Sequence, residues 1–521
     1  MIFENNIFHK KQHEFKFKFA LTYPNIYRTA MSSLGYNILY NVLNEREDTW
    51  CERVIYPNVK SIESNTPLKN FDIVSFSIQF EEDYFNIIEL LKKSEIPLKR
   101  SERTKNDPLI IAGGPCATAN PKVLSDYIDL FIIGEGEEVL NEFMDKFDVE
   151  NDLRDYLDID GIYIPKFDNE TKIRLIENMD DNAYHITHPI ISKTDDEHYK
   201  NVFSDSIMLN VSRGCTRGCR FCMSGYMYRP MRGTGMNKLI KIAKENRINT
   251  GLNKITLIGA AVSDYPDIEL LIKKLEKEKF TVSVPSLRIE SITYESLKTL
   301  KQSGLKTITL APESIAKLRR RINKNISDEK IFSVIKDAIN LDFNIKLYFL
   351  IGIPYETNKD IEELCEYIKQ LANMHKNIHR IKISINPLVP KPHTPMQWEG
   401  YNFKDIKHKS KYIKKNLKEY NIKIESPKKA LIQYILSCGD RNISSIIEKS
   451  LKQNITIHEW MKYLPEYHLD DKLPWDNIDI GVKKEFLKIE HERISSQKQT
   501  PWCETERCYN CGACKNNKMR R

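Results

Sequence analysis

The stretch Ser212-Arg213-Gly214-Cys215-Thr216-Arg217-Gly218-Cys219-Arg220-Phe221-Cys222 decides how this chain is read. Three cysteines in a C-x3-C-x2-C spacing follow an apolar run, Ile207 to Val211, which places them in a loop leaving a strand. On a loop several sulfurs converge on one small object, whereas a regular helix or strand splays them. Thiolates are soft ligands that suit iron-sulfur clusters, zinc or copper(I), and three of them on a cubane of four irons leave one iron open. A zinc knuckle short of its fourth ligand, or three unpaired core thiols, explains less well so tight a spacing around Gly214 and Gly218.

At 521 residues, 41% hydrophobic and 29% charged, the chain is long enough for two or three domains, each with its own core. No run approaches the ~20 apolar residues of a membrane span, and Met1 to His13 lacks the apolar core of a signal peptide. A cytoplasmic protein with no membrane partner is expected. Seven of the eleven cysteines fall in two tight groups, which in that compartment points to metal rather than disulfides. Cys51, Cys116, Cys365 and Cys438 stand alone and read as buried small apolar residues. A net charge of +8 does not by itself imply nucleic acid, and none is expected as a partner. The densest basic tract, Lys407 to Lys423 with Lys409, Lys411, Lys414, Lys415 and Lys418, reads as the solvated face of a helix.

The expected fold class is α/β, in three units. Residues 1–145 alternate apolar runs (Phe15 to Thr22, Ile73 to Phe80, Leu109 to Ala112, Leu130 to Ile133) with helical patterns (Ser33 to Leu43, Asp83 to Lys92). That is the pattern of a doubly wound, flavodoxin- or Rossmann-like sheet. Ligands of such sheets bind beyond the carboxyl ends of the strands, here Tyr23-Pro24-Asn25, Ser75-Phe76-Ser77, Gly113-Gly114-Pro115 and Gly134-Glu135-Gly136-Glu137. Residues 146–205, rich in Asp and Asn, read as a linker or cap. Residues 206–398 repeat strand and helix six times, with strands at Ile207 to Val211, Lys254 to Gly259, Thr281 to Val284, Thr307 to Ala311, Ile345 to Ile351 and Arg380 to Asn386. This predicts a partial (β/α)6 barrel with its active residues at the carboxyl ends of the strands. Those ends carry the cysteine loop, then Ala260, Ala261 and Ser263, then Ser286 and Arg288, Glu313 and Arg321, and Gly352 and Glu356. Residues 399–521 read as a mainly helical extension closing on Cys503, Cys508, Cys511 and Cys514, four thiols that suit zinc, iron or a second cluster.

The cysteine motif, the partial barrel and its strand-end residues resemble the radical S-adenosylmethionine (radical SAM) superfamily. The resemblance implies that Cys215, Cys219 and Cys222 hold a 4Fe-4S cluster and that S-adenosylmethionine occupies the open iron. It implies contacts to that cofactor from Phe221, Ser286, Arg288, Glu313, Arg321, Gly352 and Glu356, and no catalytic residue beyond the cluster ligands. An electron donor such as ferredoxin or flavodoxin is implied as a partner. The first unit resembles the cobalamin-binding domain that precedes many such barrels, which marks Ser75, Ser77, Gly113, Gly114 and Gly134 as cobalamin contacts. The D-x-H-x-x-G loop whose His coordinates cobalt in that family is replaced by Tyr23-Pro24-Asn25-Ile26-Tyr27-Arg28, leaving Tyr23 or Tyr27 as the residue approaching cobalt.

Together these features point to a cobalamin-dependent radical SAM enzyme that methylates an unactivated carbon of a peptide, a protein or a cofactor precursor. Two other readings compete. The chain is similar in layout to the methylthiotransferases, which act on tRNA or a ribosomal protein, but those enzymes bind a second cluster through three cysteines of the first unit, where this chain has Cys51 and Cys116 alone. A metal-stabilised RNA-binding protein would use the terminal cysteines and the basic helix to contact phosphates, with steep salt dependence.

Overall fold

The computed structural model describes residues 4–194, 196–203, 206–284, 287–503, 508 and 510–514. The first sheet contains β1 (Phe17–Tyr23), β2 (Thr49–Ile55), β3 (Ile73–Ser77), β4 (Leu109–Gly113), β5 (Leu130–Ile132) and β6 (Ile162–Tyr163), in the order β2-β1-β3-β4-β5-β6. Five strands are parallel and β6 closes the edge antiparallel. Parallel strands covered on both faces read as unbroken apolar runs, and every residue of β3 is buried. β2 does not show in the apolar pattern, because Glu52 and Arg53 interrupt it. Arg53 is nevertheless fully buried, held 2.6 Å from a carboxylate oxygen of Glu4 and 2.6 Å from one of Glu63.

The barrel strands appear where the periodicity predicts them. β7 (Ile207–Asn210), β8 (Lys254–Ile258) and β9 (Thr281–Ser283) form one parallel sheet. β10 (Thr307–Glu313), β11 (Asn344–Ile351), β12 (Ile381–Pro387) and β13 (Ile422–Ile424) form a second. β11 shows the period of two, with Ile345, Leu347, Phe349 and Ile351 buried and the residues between them more exposed. β13 is an addition, drawn from a region whose pattern predicts helix.

The intervening segment is woven into its neighbours rather than free. It donates β6 to the first sheet, and Thr171–Lys172 pairs in parallel with Ile478–Asp479 near the end of the chain. One apolar core runs from Val74 and Phe76 of the first sheet through Leu347 and Ile383 of the barrel to Tyr434 and Trp475 beyond it. A second core, with Phe19, Leu21, Ile111 and Phe143, fills the other face of the first sheet. In the basic helix Phe403–Asn416, Lys404, Lys407, Lys411, Lys414 and Lys415 are exposed. Lys409 departs from the solvated face expected of it: it turns inward, 3.0 Å from Glu356 and 2.7 Å from Asp405. Among the described residues no helix is long and apolar enough to cross a membrane.

Candidate active site

β7 delivers the chain to a short ribbon, Ser212–Arg213 paired with Arg232–Gly233, and the cysteine loop leaves from it. Gly214 has φ +76, and a Cβ there would lie 2.1 Å from the carbonyl oxygen of Tyr228, so only glycine makes this exit. Cys215 and Cys219 are buried and Cys222 is half-buried. A backbone hydrogen bond of 3.0 Å from Cys222 to Cys219 turns the loop back on itself. The Arg217 N–H points at Cys215 Sγ at 3.4 Å. The thiols stand close enough to act on one another electrostatically. Burial pushes Cys219 up to about 11, with Lys324 and Arg288 opposing it. Among the described residues no three Cys, His, Asp or Glu side chains are placed to share one metal ion. A cubane does not require that, since each thiolate binds its own iron, and the soft, buried donor set flanked by cations fits such a cluster.

Around the loop the barrel contributes charge. Arg288, just beyond β9, donates from Nη2 to Cys215 Sγ at 2.8 Å. Its Nε lies 3.3 Å from Asp264. Asp264, on the turn after β8, also accepts from Thr216 Oγ1 at 3.2 Å and from Arg217 Nε and Nη2 at 3.0 and 2.8 Å. Glu313 ends β10 at φ +66, a region non-glycine residues rarely adopt, and accepts from Lys324 at 3.1 Å. Burial disfavours the charge on Lys324, yet Glu313, Cys219 and Glu290 outweigh it and raise its pKa.

The remaining expected contacts divide. Glu356 accepts from the Gly352 N–H at 2.8 Å and pairs with Lys409. Arg321 turns away to the carbonyls of Ile494 and Ser495, at 2.8 and 3.0 Å, and lies over Tyr355. Phe221 is half-buried against the core. Ser286 lies outside the described residues. The sequence pattern did not mark Asp264, Glu290 or Lys324. The first two lie one and two residues past Ser263 and Arg288, so position at a strand end was their signal, whereas Lys324 follows a helix and had none. Ser212 Oγ, Glu290 Oε2 and Ser314 Oγ are buried without a hydrogen-bond partner. Each such orphan costs about 1–3 kcal/mol unless a ligand satisfies it.

Between the first sheet and the barrel lies a cavity of about 460 Å³. Its first-unit wall includes Leu21, Gly35, Ile38, Ser75, Ser77, Gly113, Gly114 and Gly134, and its barrel wall includes Asn210, Gly214, Tyr228 and Gly259. Gly114 has φ +101, and a Cβ there would meet the Ile78 carbonyl oxygen at 2.6 Å. Glycine and serine against an apolar wall let a large flat ligand lie on the backbone. Tyr23 and Tyr27 do not line it: Tyr23 packs edge-on against Tyr36, with ring centroids 5.2 Å apart, and the Tyr27 hydroxyl donates to Glu4 at 2.5 Å. The described lining residues include no His, Cys or Met. Glu135 ties the two walls together, accepting from Arg232 at 2.8 and 2.9 Å with Arg213 3.4 Å away. Burial alone would raise the Glu135 pKa; the two guanidiniums outweigh it and hold the carboxyl below its ordinary range.

Residues 498–503 fold onto the back of the cysteine loop. Trp502 stacks 3.0 Å from the Arg217 guanidinium, and the Cys503 N–H donates to the Thr216 carbonyl at 3.1 Å. Asn323 bridges the carbonyls of Gly218 and Thr500 at 3.0 and 3.1 Å. Fully buried Arg220 pairs with Glu490 at 3.1 Å and donates to the Lys498 carbonyl at 2.6 Å. Of the terminal thiols, Cys511 is buried and reached by Arg229, Cys514 is half-buried, and Cys503 and Cys508 are exposed.

Residues 35–165 match the family model described as radical SAM proteins, N-terminal, and residues 209–368 match that of the radical SAM superfamily. The uncharacterized protein MJ0966 of Methanocaldococcus jannaschii is 33% identical over 475 residues, 88% of this chain and 98% of its own length. The chain belongs to the radical SAM superfamily. Membership implies a 4Fe-4S cluster and S-adenosylmethionine. A tRNA-2-methylthio-N(6)-dimethylallyladenosine synthase of Wolbachia pipientis subsp. Culex pipiens is 27% identical over 228 residues, 40% of this chain and 49% of that enzyme. The chain thus spans about half of its length. In fold the chain is similar to the radical S-adenosylmethionine methyltransferase TsrM of Kitasatospora setae, solved with cobalamin and a [4Fe-4S] cluster bound. That match has a TM-score of 0.53 at 13% identity, covering 74% of this chain and 78% of that one.

Proposed function

We propose that this radical SAM enzyme is a cobalamin-dependent methyltransferase acting on an unactivated carbon of a peptide, a protein or a cofactor precursor. The observation that carries the reading is the single cavity whose walls are the glycine- and serine-bearing strand ends of the first unit and the exit of the cysteine loop at Gly214. Cys215, Cys219 and Cys222 hold the cluster, with Arg288 and Lys324 offsetting its negative charge. Ser212, Glu290 and Ser314 offer their orphaned atoms to S-adenosylmethionine. Ser75, Ser77, Gly113, Gly114 and Gly134 hold cobalamin against the backbone, and the Glu135 pairs with Arg232 and Arg213 keep the first unit docked and water out. Together the bound groups supply a hydrogen-abstracting radical and a transferable methyl group. The terminal cysteines hold zinc, iron or a second cluster behind the loop, and a ferredoxin or flavodoxin supplies the electron.

The methylthiotransferase reading loses ground on the same geometry. Cys51 and Cys116 are buried in separate apolar cores, Cys51 in one and Cys116 in the other, where they do not assemble a second cluster site. Anaerobic reconstitution with iron and sulfide, with and without cobalamin, tests the proposal. A corrinoid absorption spectrum on the protein and release of 5′-deoxyadenosine under reduction are expected. A protein that cleaves S-adenosylmethionine yet binds no corrinoid would end the methylation reading.

A further inference from the structure

Asp264 is almost fully buried and is not a cysteine-loop residue, yet three charged or polar groups converge on it: Thr216, Arg217 and Arg288. Buried carboxylates persist only where such partners compensate them. Two of these partners, Thr216 and Arg217, lie inside the cysteine loop, and the third is the one guanidinium shown donating to a loop thiol, Arg288 Nη2 to Cys215 Sγ at 2.8 Å. Arg288 is itself 14% exposed at its side chain, so water offers it little alternative. Its Nε lies 3.3 Å from Asp264 as an ion pair without a hydrogen bond, while the outer edge of the guanidinium fork donates to sulfur.

We propose that Asp264 is a positioning residue that fixes Arg288 on the Cys215 thiolate, and that this hydrogen bond sets the reduction potential of the cluster. The inference rests on the reading of the three cysteines as cluster ligands. One electron added to a cluster increases its negative charge. A cationic donor on a ligand sulfur therefore stabilises the reduced form and makes the cluster easier to reduce. Arg288 thereby acts on the cluster rather than on S-adenosylmethionine. Asp264 is linked to the sulfur through the Arg288 guanidinium, and Coulomb terms weaken with distance. Its main effect is the direction in which it holds the guanidinium, not its own negative charge.

That distinction has opposite signs in one experiment. Asp264→Asn removes a negative charge, which alone would raise the cluster potential; loss of a fixed Arg288 lowers it. The full chain, reconstituted anaerobically with iron and sulfide, is titrated with reductant at controlled potentials and followed by electron paramagnetic resonance. At the wild-type midpoint, Arg288→Gln is expected to show at least a tenfold lower ratio of reduced to oxidised cluster, about 59 mV for a one-electron couple. Asp264→Asn should shift in the same direction by a smaller amount, and Arg288→Lys should recover part of the loss. A rise in potential for Asp264→Asn overturns the positioning role. An unchanged midpoint in Arg288→Gln with weakened S-adenosylmethionine binding by calorimetry overturns the assignment of Arg288. Loss of the cluster from all three variants assigns the pair to assembly and overturns the tuning role. A wild-type chain that takes up no 4Fe-4S cluster overturns the cluster reading and the inference with it.

Discussion

Two cysteine modules lie back to back in this molecule, and their surroundings differ. Cys215, Cys219 and Cys222 sit in a loop whose path is set by groups other than the thiols: Gly214 at its exit, Asp264 and Arg288 on one side, Glu313 and Lys324 on the other. Around Cys503, Cys508, Cys511 and Cys514 the described contacts are of another kind. The backbone of Cys503 is tied to Thr216, Cys511 is tied to Lys483 and Arg229, and two of the four thiols face solvent. The comparison teaches that the fold sets the path of the first module through groups other than its thiols, whereas two thiols of the second lie at the surface. Glu490, Thr500 and Trp502, which precede the second module, grip the first from behind.

The largest effect separates the modules outright. Cys219→Ala should abolish both cluster incorporation and 5′-deoxyadenosine release, whereas Cys511→Ala should leave the barrel cluster's absorption in place. Iron analysis and spectra of the reconstituted variants decide this, and 5′-deoxyadenosine release by the first variant would break the comparison. Next comes Glu490→Gln, which strips fully buried Arg220 of its counter-ion without touching a thiol. Removing one partner of a buried pair costs about 3–5 kcal/mol, so chemical denaturation should show a loss of that order. An unchanged midpoint would mean the tail does not brace the loop.

A third test lies at the seam that joins the first unit, the barrel and the tail. His393 is fully buried beside Trp475, and burial lowers its pKa from 6.5 to about 4. The unfolded chain therefore binds a proton between pH 6.5 and 4 that the folded chain does not. The stability His393 permits is complete above about pH 6.5 and is lost as pH falls toward 4, by about 3 kcal/mol in all. His393→Asn, which suits the φ of +57 at this position, should flatten that slope in pH-dependent denaturation. An equal slope in the variant would place the titration elsewhere. The smallest effect is that of Trp502→Ala, which removes the stack on Arg217. A desolvated cation–π contact is worth about 2 kcal/mol, and the loss should appear as faster iron release to a chelator from the barrel cluster rather than as failure to assemble it.

Much of this layout is legible in the sequence because period and spacing carry it. The apolar runs locate β1, β3, β4, β5 and the six expected barrel strands, and the cysteine spacing locates the loop. What escapes is what charge has replaced. β2 escapes because Arg53 is buried by pairing with Glu4 and Glu63, partners that lie outside the strand itself. Lys409 looks solvated in a lysine-rich helix, yet Glu356 draws it inward. Lys324 belongs to the site only through its pairing with Glu313, and Asp264, although it stands at a strand end, is tied into it by Arg288 and Arg217. A one-dimensional pattern records which residues are apolar, not which charges find each other.

The central claim is that cobalamin occupies the cavity between the first sheet and the barrel, and Gly35 offers the most direct measurement. Gly35 lines that cavity on the helix Leu34–Glu45, and a Cβ there would meet nothing within 4 Å. Replacing glycine in a helix adds a few tenths of a kcal/mol of helix preference, so Gly35→Phe should fold while obstructing the cavity. Titration of the reconstituted proteins with hydroxocobalamin, read by absorption, is predicted to show one bound corrinoid per wild-type chain and none on Gly35→Phe with its iron content intact. Equal binding by both proteins, or none by the wild type, would contradict it.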